Sequence, residues 1–196
     1  MIILGLTGSI AMGKSKAAEV FLQKNVPVHD ADAVVHRLLA KGGRAVPLVA
    51  EIFPQAISEG AVDRKALGAI VFADPLQLKR LEAILHPLVR QDEQRFLNTA
   101  RRRRAKVAVL NIPLFFETGG EKRCHATIVV TAPAFVQEGR VLRRAGMTRE
   151  KLDGVRRNQM PEQEKRKRAD FIVQTGNGYR FSHTKLLKIL EWARHA

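Results

Sequence analysis

The chain has 196 residues, 45% of them hydrophobic, and a single cysteine, Cys124. This length and composition predict a globular protein with a sizeable core, whereas one cysteine excludes an internal disulfide and a multi-cysteine metal site and indicates a reducing compartment. The formal net charge is +15, and 22 of the 34 lysine and arginine residues follow residue 100, so the expected partners are polyanions: nucleic acid, a membrane surface, or nucleotides and other phosphorylated small molecules.

The first predicted element is a buried strand over residues 2–6, which leads into a phosphate-binding motif. The motif is GSIAMGKS at residues 8–15, termed here the phosphate loop, and it fits the pattern G-x-x-x-x-G-K-[ST]. Helical apolar spacing follows over residues 15–24. In this context the glycines let backbone N–H groups approach phosphate oxygens, Lys14 serves the β and γ phosphates, and Ser15 ligates Mg²⁺. The alternative is a chance glycine-rich turn, which the flanking strand and helix disfavour.

The second predicted strand covers residues 26–29 and ends in the sequence Asp-Ala-Asp at residues 30–32. The block from residue 33 to about residue 101 then shows helical patterns, with breaks at two glycines and at a loop over residues 54–60. Asp63 is a predicted N-cap, and a long helix begins at Pro75, with a kink expected at Pro87. The prediction is an all-helical insertion between the second and third strands.

Strands and helices alternate over the rest of the chain. Strands are predicted at residues 107–110, 126–130 and 171–173, and helices at 134 to about 144, 148 to about 160, 161–168 and 182 to the end. Such alternation predicts a parallel sheet with helices on both faces.

Two aspartates follow the second strand. In an open parallel sheet, ligands bind at the carboxyl ends of the strands, where these residues, the phosphate loop, residues 113–117 and the turn after residue 173 are expected to converge. Either Asp30 or Asp32 can cap the helix that follows. We assign the cap to Asp30, and we assign to Asp32 the role of a base that accepts the proton of an attacking hydroxyl.

Arg140 and Arg144 are expected to share one helix face through their i,i+4 spacing. Two adjacent guanidinium groups suit a polyphosphate, which they can bind bidentately; a solvated helix face is the alternative, and Arg143 is left outside the site. A helical pair rich in such residues is a candidate lid that excludes water during transfer. His86, before Pro87, is either a core histidine or a substrate contact, and the pattern leaves both open.

The ordered set of motifs resembles the dephospho-coenzyme A (dephospho-CoA) kinase family over residues 3 to about 178. These motifs are the phosphate loop, Asp30-Ala31-Asp32, Phe72-Ala73-Asp74-Pro75, Leu85-His86-Pro87-Leu88, Pro113-Leu114-Phe115-Phe116-Glu117, Gln137 with Arg140 and Arg144, Gln159 with Lys165, and Ala169-Asp170-Phe171.

The resemblance implies an α/β, three-layer P-loop NTPase fold with a five-stranded parallel sheet. It implies a nucleotide-binding core over residues 1–31, 102–137 and 169–196, a helical acceptor domain over 32–101, and a helical lid over 138–168. The implied reaction is phosphorylation by ATP of the ribose 3′-hydroxyl of dephospho-CoA, which gives CoA and ADP.

The resemblance also implies roles for individual residues. Those implied for ATP binding are Gly8, Ala11, Met12, Gly13, Lys14, Ser15, Lys16 and Thr175. Those implied for acceptor binding are Asp32, His86, Pro113, Leu114 and Glu117. Those implied for catalysis are Asp32, Lys14, Arg140 and Arg144. Ser15 is the implied ligand of Mg²⁺.

The chain departs from the family pattern at several positions. Lys16 replaces the usual threonine, His36 stands where many members have arginine, and the turn at residues 174–176 is Gln-Thr-Gly instead of the commoner Asp-Asn-Ser type. Asn111 occupies the strand end where phosphate-loop enzymes often carry an acid that supports Mg²⁺. Because the turn at residues 174–176 departs from the family type, the resemblance does not imply that the Thr175 side chain contacts adenine.

Two other functions compete with this one. A nucleoside or nucleotide kinase predicts the same phosphate loop and differs in its acceptor. A nucleotide-dependent nucleic-acid-binding module is suggested by the basic run at residues 165–168, but the chain has few of the aromatic residues that stack on bases. We therefore expect no nucleic-acid partner. We also expect no membrane partner, because no uncharged apolar run reaches about 18 residues. A cytoplasmic monomer or weak homo-oligomer is predicted.

Overall fold

The computed structural model describes residues 1–157 and 159–196, which divide into two compact units. The sheet unit comprises residues 1–29 and 99–196. The inserted unit comprises residues 30–98. The sheet unit is therefore built from two segments of sequence, with the inserted unit between them along the chain.

The described residues form seven strands, nine α-helices and two short 3-10 turns. The strands are β1 (Ile2–Thr7), β2 (Val28–Asp30), β3 (Ile57–Ser58), β4 (Ala61–Val62), β5 (Val107–Asn111), β6 (Ala126–Thr131) and β7 (Phe171–Gln174). The helices are α1 (Lys14–Gln23), α2 (Ala31–Leu39), α3 (Val46–Ile52), α4 (Arg64–Val71), α5 (Pro75–Arg102), α6 (Ala134–Leu142), α7 (Arg149–Arg157), α8 (Glu162–Lys167) and α9 (Tyr179–His195). The 3-10 turns are Pro54–Ala56 and Gly120–Arg123.

Five strands form one parallel sheet in the order β2-β5-β1-β6-β7. The central strand β1 pairs in parallel with β5 and with β6, and β6 pairs in parallel with β7. Every residue of β5 and β6 is buried, as expected for continuous apolar strands that are covered on both faces. The prediction of an α/β fold around a five-stranded parallel sheet is confirmed.

The two faces of β1 are covered by different parts of the sheet unit. Leu4 and Leu6 lie in one core cluster with residues of α1 and α9. Gly5 faces the opposite side, because side chains alternate along a strand, and a Cβ there would overlap the ring of Phe115. The loop after β5 therefore packs closely on the sheet, and only glycine fits at residue 5.

Three of the segments expected to form a site meet at one edge of the sheet unit. Because β1, β5, β6 and β7 are parallel, their carboxyl ends lie together, and the phosphate loop follows the first of them. The Thr7 hydroxyl donates to Pro113 O at 3.0 Å, which joins the end of β1 to the loop after β5. The Thr175 N–H donates to Thr131 O at 2.8 Å, which joins the turn after β7 to the end of β6.

The inserted unit has its own hydrophobic core, built from residues of α2 to α5. Asp30 is the N-cap of α2, as predicted, and its Oδ1 accepts from the N–H of Ala33 at 3.0 Å. Asp63 caps α4 as predicted, accepting from the N–H groups of Lys65 and Ala66 at 2.8 and 3.1 Å. These side chains set where the two helices begin.

The expectation of an all-helical insertion is wrong, because β3 and β4 form an antiparallel hairpin. Their two-residue turn consists of Glu59 and Gly60, with φ of 51° and 78°. Positive φ at both positions is the geometry that joins tightly paired antiparallel strands, and Asn-Gly or Asp-Gly is its usual sequence. Glu59 lacks that signal, and strands of two residues are too short to show alternation, so the sequence pattern predicted a loop.

The helices elsewhere follow the predicted pattern, with shorter ends for α6, α7 and α8 and an earlier start for α9, at Tyr179. Helix α5 begins at Pro75 and continues through Pro87 to Arg102. The Thr148 hydroxyl accepts from the N–H of Lys151 at 3.3 Å at the start of α7, as predicted. The predicted extension of α7 to about residue 160 includes Asn158, which lies outside the described residues. Within residues 1–157 and 159–196, no helix combines the length and the apolar character that a membrane span requires.

Candidate active site

The phosphate loop requires glycine at two positions, at one because of close packing and at the other because of its backbone conformation. At Gly8 a Cβ would overlap the side chain of Val130 and lie 2.6 Å from its carbonyl oxygen. At Gly13 the backbone is left-handed, with φ of 94°. Ala11 also has a positive φ, 58°, and strain of this kind is concentrated at functional sites. The glycines of the motif are therefore required by the geometry of the loop.

The N-terminus of α1 has unfilled hydrogen-bonding capacity. Gly13 is its N-cap and supplies no side-chain acceptor, and the first turn contains no acidic residue. The first N–H groups of a helix lack partners within the helix, and the helix dipole favours an anion at that end. Ser15 lies in this first turn with its side chain exposed. This end of α1 is therefore suited to bind phosphate.

Side chains from other segments hold the carbonyl groups of the phosphate loop. The three bonds are Gln137 Nε2 to Ile10 O at 2.9 Å, Arg140 Nη1 to Ala11 O at 3.4 Å, and Thr175 Oγ1 to Met12 O at 2.7 Å. Because three consecutive carbonyl oxygens accept hydrogen bonds from other parts of the protein, the loop is held by its carbonyl groups. These are the groups whose partial negative charge would repel a phosphate. This fixation prepares the loop before a ligand binds.

Lys14 lies at the start of α1 and donates from Nζ to Oδ1 of Asn111 at 2.9 Å. Asn111 ends β5 and is 1% exposed, so a rigid strand orients the ammonium group. The partner is a neutral amide, whereas a carboxylate at this position would cancel the charge of the lysine. Asn111 therefore orients the ammonium group of Lys14 without adding a negative charge of its own.

Arg140, which is predicted to act in catalysis, and Thr175, which is predicted to bind ATP, are hydrogen-bonded to each other. Arg140 donates from Nη1 to the Thr175 hydroxyl at 2.9 Å and from Nη2 to the Thr175 carbonyl at 2.8 Å. The Thr175 side chain also packs 3.1 Å from where a Cβ on Gly13 would lie. Through these bonds, the turn after β7 supports the phosphate loop, a role of Thr175 that the sequence pattern did not predict.

The expected shared face of Arg140 and Arg144 is wrong, because α6 ends at Leu142. Arg143 is the C-cap, and Arg144 lies in the following bend with an exposed side chain. Gly146, with a left-handed φ of 74°, belongs to the turn that takes the chain out of the helix. The i,i+4 argument therefore does not apply, and a catalytic role of Arg144 stays a prediction.

We expect Arg140→Ala to lower kcat/KM by at least about tenfold, which corresponds to about 1.4 kcal/mol. The substitution removes the donors that hold Ala11 O and both oxygens of Thr175, besides any contact with phosphate. Steady-state kinetics with both substrates varied measures the effect. Arg143→Ala is the matched control, since Arg143 is exposed at the end of the same helix. Equal losses of kcat/KM in the two variants would show that the loss comes from the lower net charge of the protein and not from the contacts of Arg140.

The predicted acceptor residues after β5 are held in place by hydrogen bonds between side-chain and backbone groups. Pro113 O accepts from Thr7, and Leu114 O accepts from the Thr118 hydroxyl at 2.7 Å. Glu117 Oε1 accepts from the N–H of Met160 at 2.7 Å and lies 3.4 Å from Lys165 Nζ. This loop is therefore well ordered at the edge of the sheet, and its contact with an acceptor stays a prediction.

Sequence reasoning missed the contribution of α8 and the residues just before it. The Ser9 hydroxyl donates to Glu162 Oε2 at 3.0 Å, and the N–H of Ile10 donates to Gln159 Oε1 at 3.3 Å. Lys165 is fully buried beside Ser9, although it opens the basic run that suggested nucleic acid. The sole signal in the sequence was the pairing of Gln159 with Lys165 in the family resemblance.

Lys16 is on the outside of α1. Its Nζ lies 2.7 Å from Glu19 Oε2, and this hydrogen bond raises the pKa of Lys16 above its ordinary value. The side chain is 72% exposed and bonded to Glu19. The group of Lys16 that is available for the predicted contact with ATP is therefore its backbone N–H.

Asp32 and His86 belong to the inserted unit. Asp32 is exposed in the first turn of α2, two residues beyond the end of β2. His86 is exposed on α5, so the alternative of a core histidine is wrong. Their roles at a substrate stay predictions.

The site consists of a phosphate loop between β1 and α1, a helix N-terminus without a side-chain cap, and a lysine oriented by a buried asparagine. This arrangement defines the class of phosphate-loop nucleotide-binding proteins. Residues 2–180 match the family model described as dephospho-CoA kinase. The chain is 60% identical to the dephospho-CoA kinase of Paramagnetospirillum magneticum over 166 residues, which cover 85% of this chain and 78% of that protein. It is 52% identical to the Mesorhizobium japonicum dephospho-CoA kinase over 194 residues, which cover 99% and 98%.

Among solved structures, dephospho-CoA kinase from Campylobacter jejuni superposes with a TM-score of 0.72 at 27% identity and covers 96% of this chain and 95% of that one. The chain belongs to the dephospho-CoA kinase family, which phosphorylates dephospho-CoA to CoA in the last step of CoA biosynthesis. The predicted family and reaction class are confirmed.

Proposed function

We propose that this chain transfers the γ phosphoryl group of ATP to the ribose 3′-hydroxyl of dephospho-CoA, giving CoA and ADP. The observation that carries the proposal is the phosphate loop, whose carbonyl groups are held by Gln137, Arg140 and Thr175 and which opens onto the uncapped end of α1. Membership of the dephospho-CoA kinase family supports the choice of acceptor.

On the donor side, the proposed ligands of the phosphates are backbone N–H groups and one ammonium. The N–H groups belong to Ala11, Gly13, Lys14, Ser15 and Lys16, with Gly8 allowing their approach. The N–H of Met12 donates to Ser9 O at 3.1 Å, so Met12 is proposed to serve ATP through the conformation of the loop. The Lys14 ammonium, oriented by Asn111, binds the β and γ phosphates. Arg140 and Arg144 are proposed to act on the transferring group, and Thr175 to support ATP through the loop. Phosphoryl transfer depends mainly on such positioning and charge neutralisation.

On the acceptor side, Asp32 is the proposed base that takes the proton from the attacking 3′-hydroxyl. Asp30 already fills the capping role at α2, so the cap does not explain Asp32. The carboxylate is exposed in the first helical turn after a strand of the sheet. His86, Pro113, Leu114 and Glu117 are the proposed further contacts with dephospho-CoA, residues 32–101 the acceptor domain, and residues 138–168 the lid.

Mg²⁺ is the metal that this reaction class implies, and the residues present fit it. Ser15 offers one neutral hydroxyl oxygen at the start of α1, and among the described residues no cluster of three or more His, Cys, Asp or Glu side chains can hold a metal. Such a sparse donor set suits an ion that takes most of its ligands from nucleotide oxygens and water. When bound, the ion neutralises charge on the β and γ phosphates.

The test is a direct assay of purified protein with ATP, MgCl₂ and dephospho-CoA, in which chromatography separates dephospho-CoA from its 3′-phosphorylated product. Adenosine and AMP serve as competing acceptors. We expect turnover with dephospho-CoA and at least about tenfold lower kcat/KM with the other two, since they lack the pantetheine arm. Preference for adenosine or AMP would assign the competing nucleoside or nucleotide kinase function. A cytoplasmic location, monomeric or weakly oligomeric state, and lack of nucleic-acid partners stay predictions.

A further inference from the structure

Lys165 is a buried charge that the proposed reaction does not use. The residue lies on α8 and is fully buried. Its Nζ is 3.4 Å from Glu117 Oε1 and 3.5 Å from the Ser9 hydroxyl oxygen. Since Glu117 follows β5 and Ser9 belongs to the phosphate loop, one ammonium group joins three segments of the sheet unit.

Two more side chains from the same stretch contact the same part of the phosphate loop. Glu162 Oε2 accepts from the Ser9 hydroxyl, and Gln159 Oε1 accepts from the N–H of Ile10. Glu162 and Lys165 are spaced i,i+3 and so lie on one face of α8. Gln159, Glu162 and Lys165 are termed here the brace. All three of its side chains contact Ser9 or Ile10.

Folding stability alone does not account for the brace. A buried ion pair contributes little net stability, because the loss of hydration offsets the attraction between the charges. Glu162 Oε1 is also buried, with no hydrogen-bond partner among the described residues, which is unfavourable. Apolar side chains would fill this space at lower cost. The charged groups are therefore better explained by a requirement of the loop that they contact.

We propose that the brace holds the phosphate loop in its nucleotide-binding conformation, with Lys165 and its counter-ion Glu117 as positioning residues that act through Ser9. The inference rests on the proposed donor role of the loop. It also changes the expectation for Glu117, whose carboxylate is bonded to Lys165 and Met160. Glu117 then serves the ATP side of the reaction, and this role replaces the contact with dephospho-CoA that the family resemblance implied and that is proposed above.

The test measures binding of a fluorescent ADP analogue, which does not depend on turnover. We expect Lys165→Met to raise the Kd for this analogue at least about tenfold, as for loss of a charge-assisted contact. Lys167→Met is the matched control: Lys167 lies on the same helix with a side chain 71% exposed, and its removal should leave the Kd within about twofold. An unchanged Kd in Lys165→Met overturns the proposal.

A double variant separates positioning from plain structural support. Lys165→Met leaves the Glu117 carboxylate, whose side chain is 20% exposed, without its counter-ion, so this variant is expected to unfold at a lower temperature. Adding Glu117→Gln removes that charge and should restore most of the thermal stability. We expect the Kd for the ADP analogue to remain at least about tenfold raised in the double variant. Recovery of both stability and nucleotide affinity would show a structural role and overturn the proposal.

The single variant Glu117→Gln separates the two sides of the reaction. We expect a raised Kd for the ADP analogue and a KM for dephospho-CoA within about twofold of the unmodified protein, because Glu117 acts through the loop. A raised KM for dephospho-CoA with an unchanged Kd for the analogue would return Glu117 to the acceptor side and overturn the proposal. If the unmodified protein bound no ADP analogue, the proposed donor site itself would be refuted, and that outcome is distinct from both others.

Discussion

Asp32→Asn is expected to lower kcat for dephospho-CoA by about 10²–10⁴-fold, the range by which a positioned general base accelerates proton transfer. Asparagine has nearly the same shape, and its amide cannot accept the proton of the 3′-hydroxyl. The Kd for ATP should change by less than about threefold, because the donor residues of the phosphate loop are untouched. Steady-state kinetics and nucleotide titration on the same preparation measure both quantities.

Asp30→Asn is the matched control for that experiment. Asp30 lies two residues earlier, and its Oδ1 caps α2 by accepting from Ala33. Because asparagine is as good an N-cap as aspartate, the control should fold normally and keep kcat within about twofold. If Asp30→Asn lost activity as severely as Asp32→Asn, the local structure of α2 would explain both losses, and Asp32 would no longer be the base.

The elements that the sequence predicted well are those whose signal is local. The apolar runs of β1, β5 and β6 indicated buried strands because both faces of each strand are covered. The phosphate loop was found because its motif is a contiguous stretch of eight residues between a strand and a helix. The caps Asp30 and Asp63 were found for the same reason, since a cap bonds to N–H groups two or three residues ahead.

The contacts that support the phosphate loop could not be predicted, because they join residues far apart in sequence. Ser9 and Glu162 are separated by 153 residues, and Lys14 and Asn111 by 97. The spacing of apolar residues predicts helices and strands, but it does not predict contacts between residues so far apart in sequence. Lys165 is the clearest case. The three residues that follow it are basic and exposed, and the run they form with it suggested contact with nucleic acid, whereas one face of α8 buries Lys165 beside Ser9.

Departures from the family pattern acquire a physical meaning from these contacts. Asn111 stands where phosphate-loop enzymes often carry an acid that supports Mg²⁺, and here it orients the ammonium group of Lys14. Thr175 belongs to a turn that departs from the family pattern, and its hydroxyl donates to Met12 O and accepts from Arg140. Both residues form hydrogen bonds with residues of the phosphate loop. Substitutions there should therefore affect ATP more than the acceptor.

Lys14→Ala is expected to lower kcat by about 10²–10³-fold, the usual cost of removing one preorganised group that stabilises developing charge in a transition state. The Lys14 ammonium is held by a buried asparagine at the end of β5, so little of its interaction energy is spent on ordering the side chain at the moment of transfer. The same variant should also bind ATP more weakly than the unmodified protein, since the charge is attracted to the ground-state phosphates as well. Stopped-time assays at saturating ATP separate the effect on kcat from the effect on binding.

Lys24→Ala is the matched control, because Lys24 is an exposed lysine at the other end of α1. Its removal lowers the net charge by the same amount, so it reports any effect of the overall positive field on nucleotide binding. We expect kcat and KM for ATP within about twofold of the unmodified protein. Circular dichroism establishes that both variants are folded. A folded Lys14→Ala protein that retained normal kcat would leave the backbone N–H groups and Arg140 as the sole proposed stabilisers of the transferring phosphoryl group, and the role assigned to the lysine would be wrong.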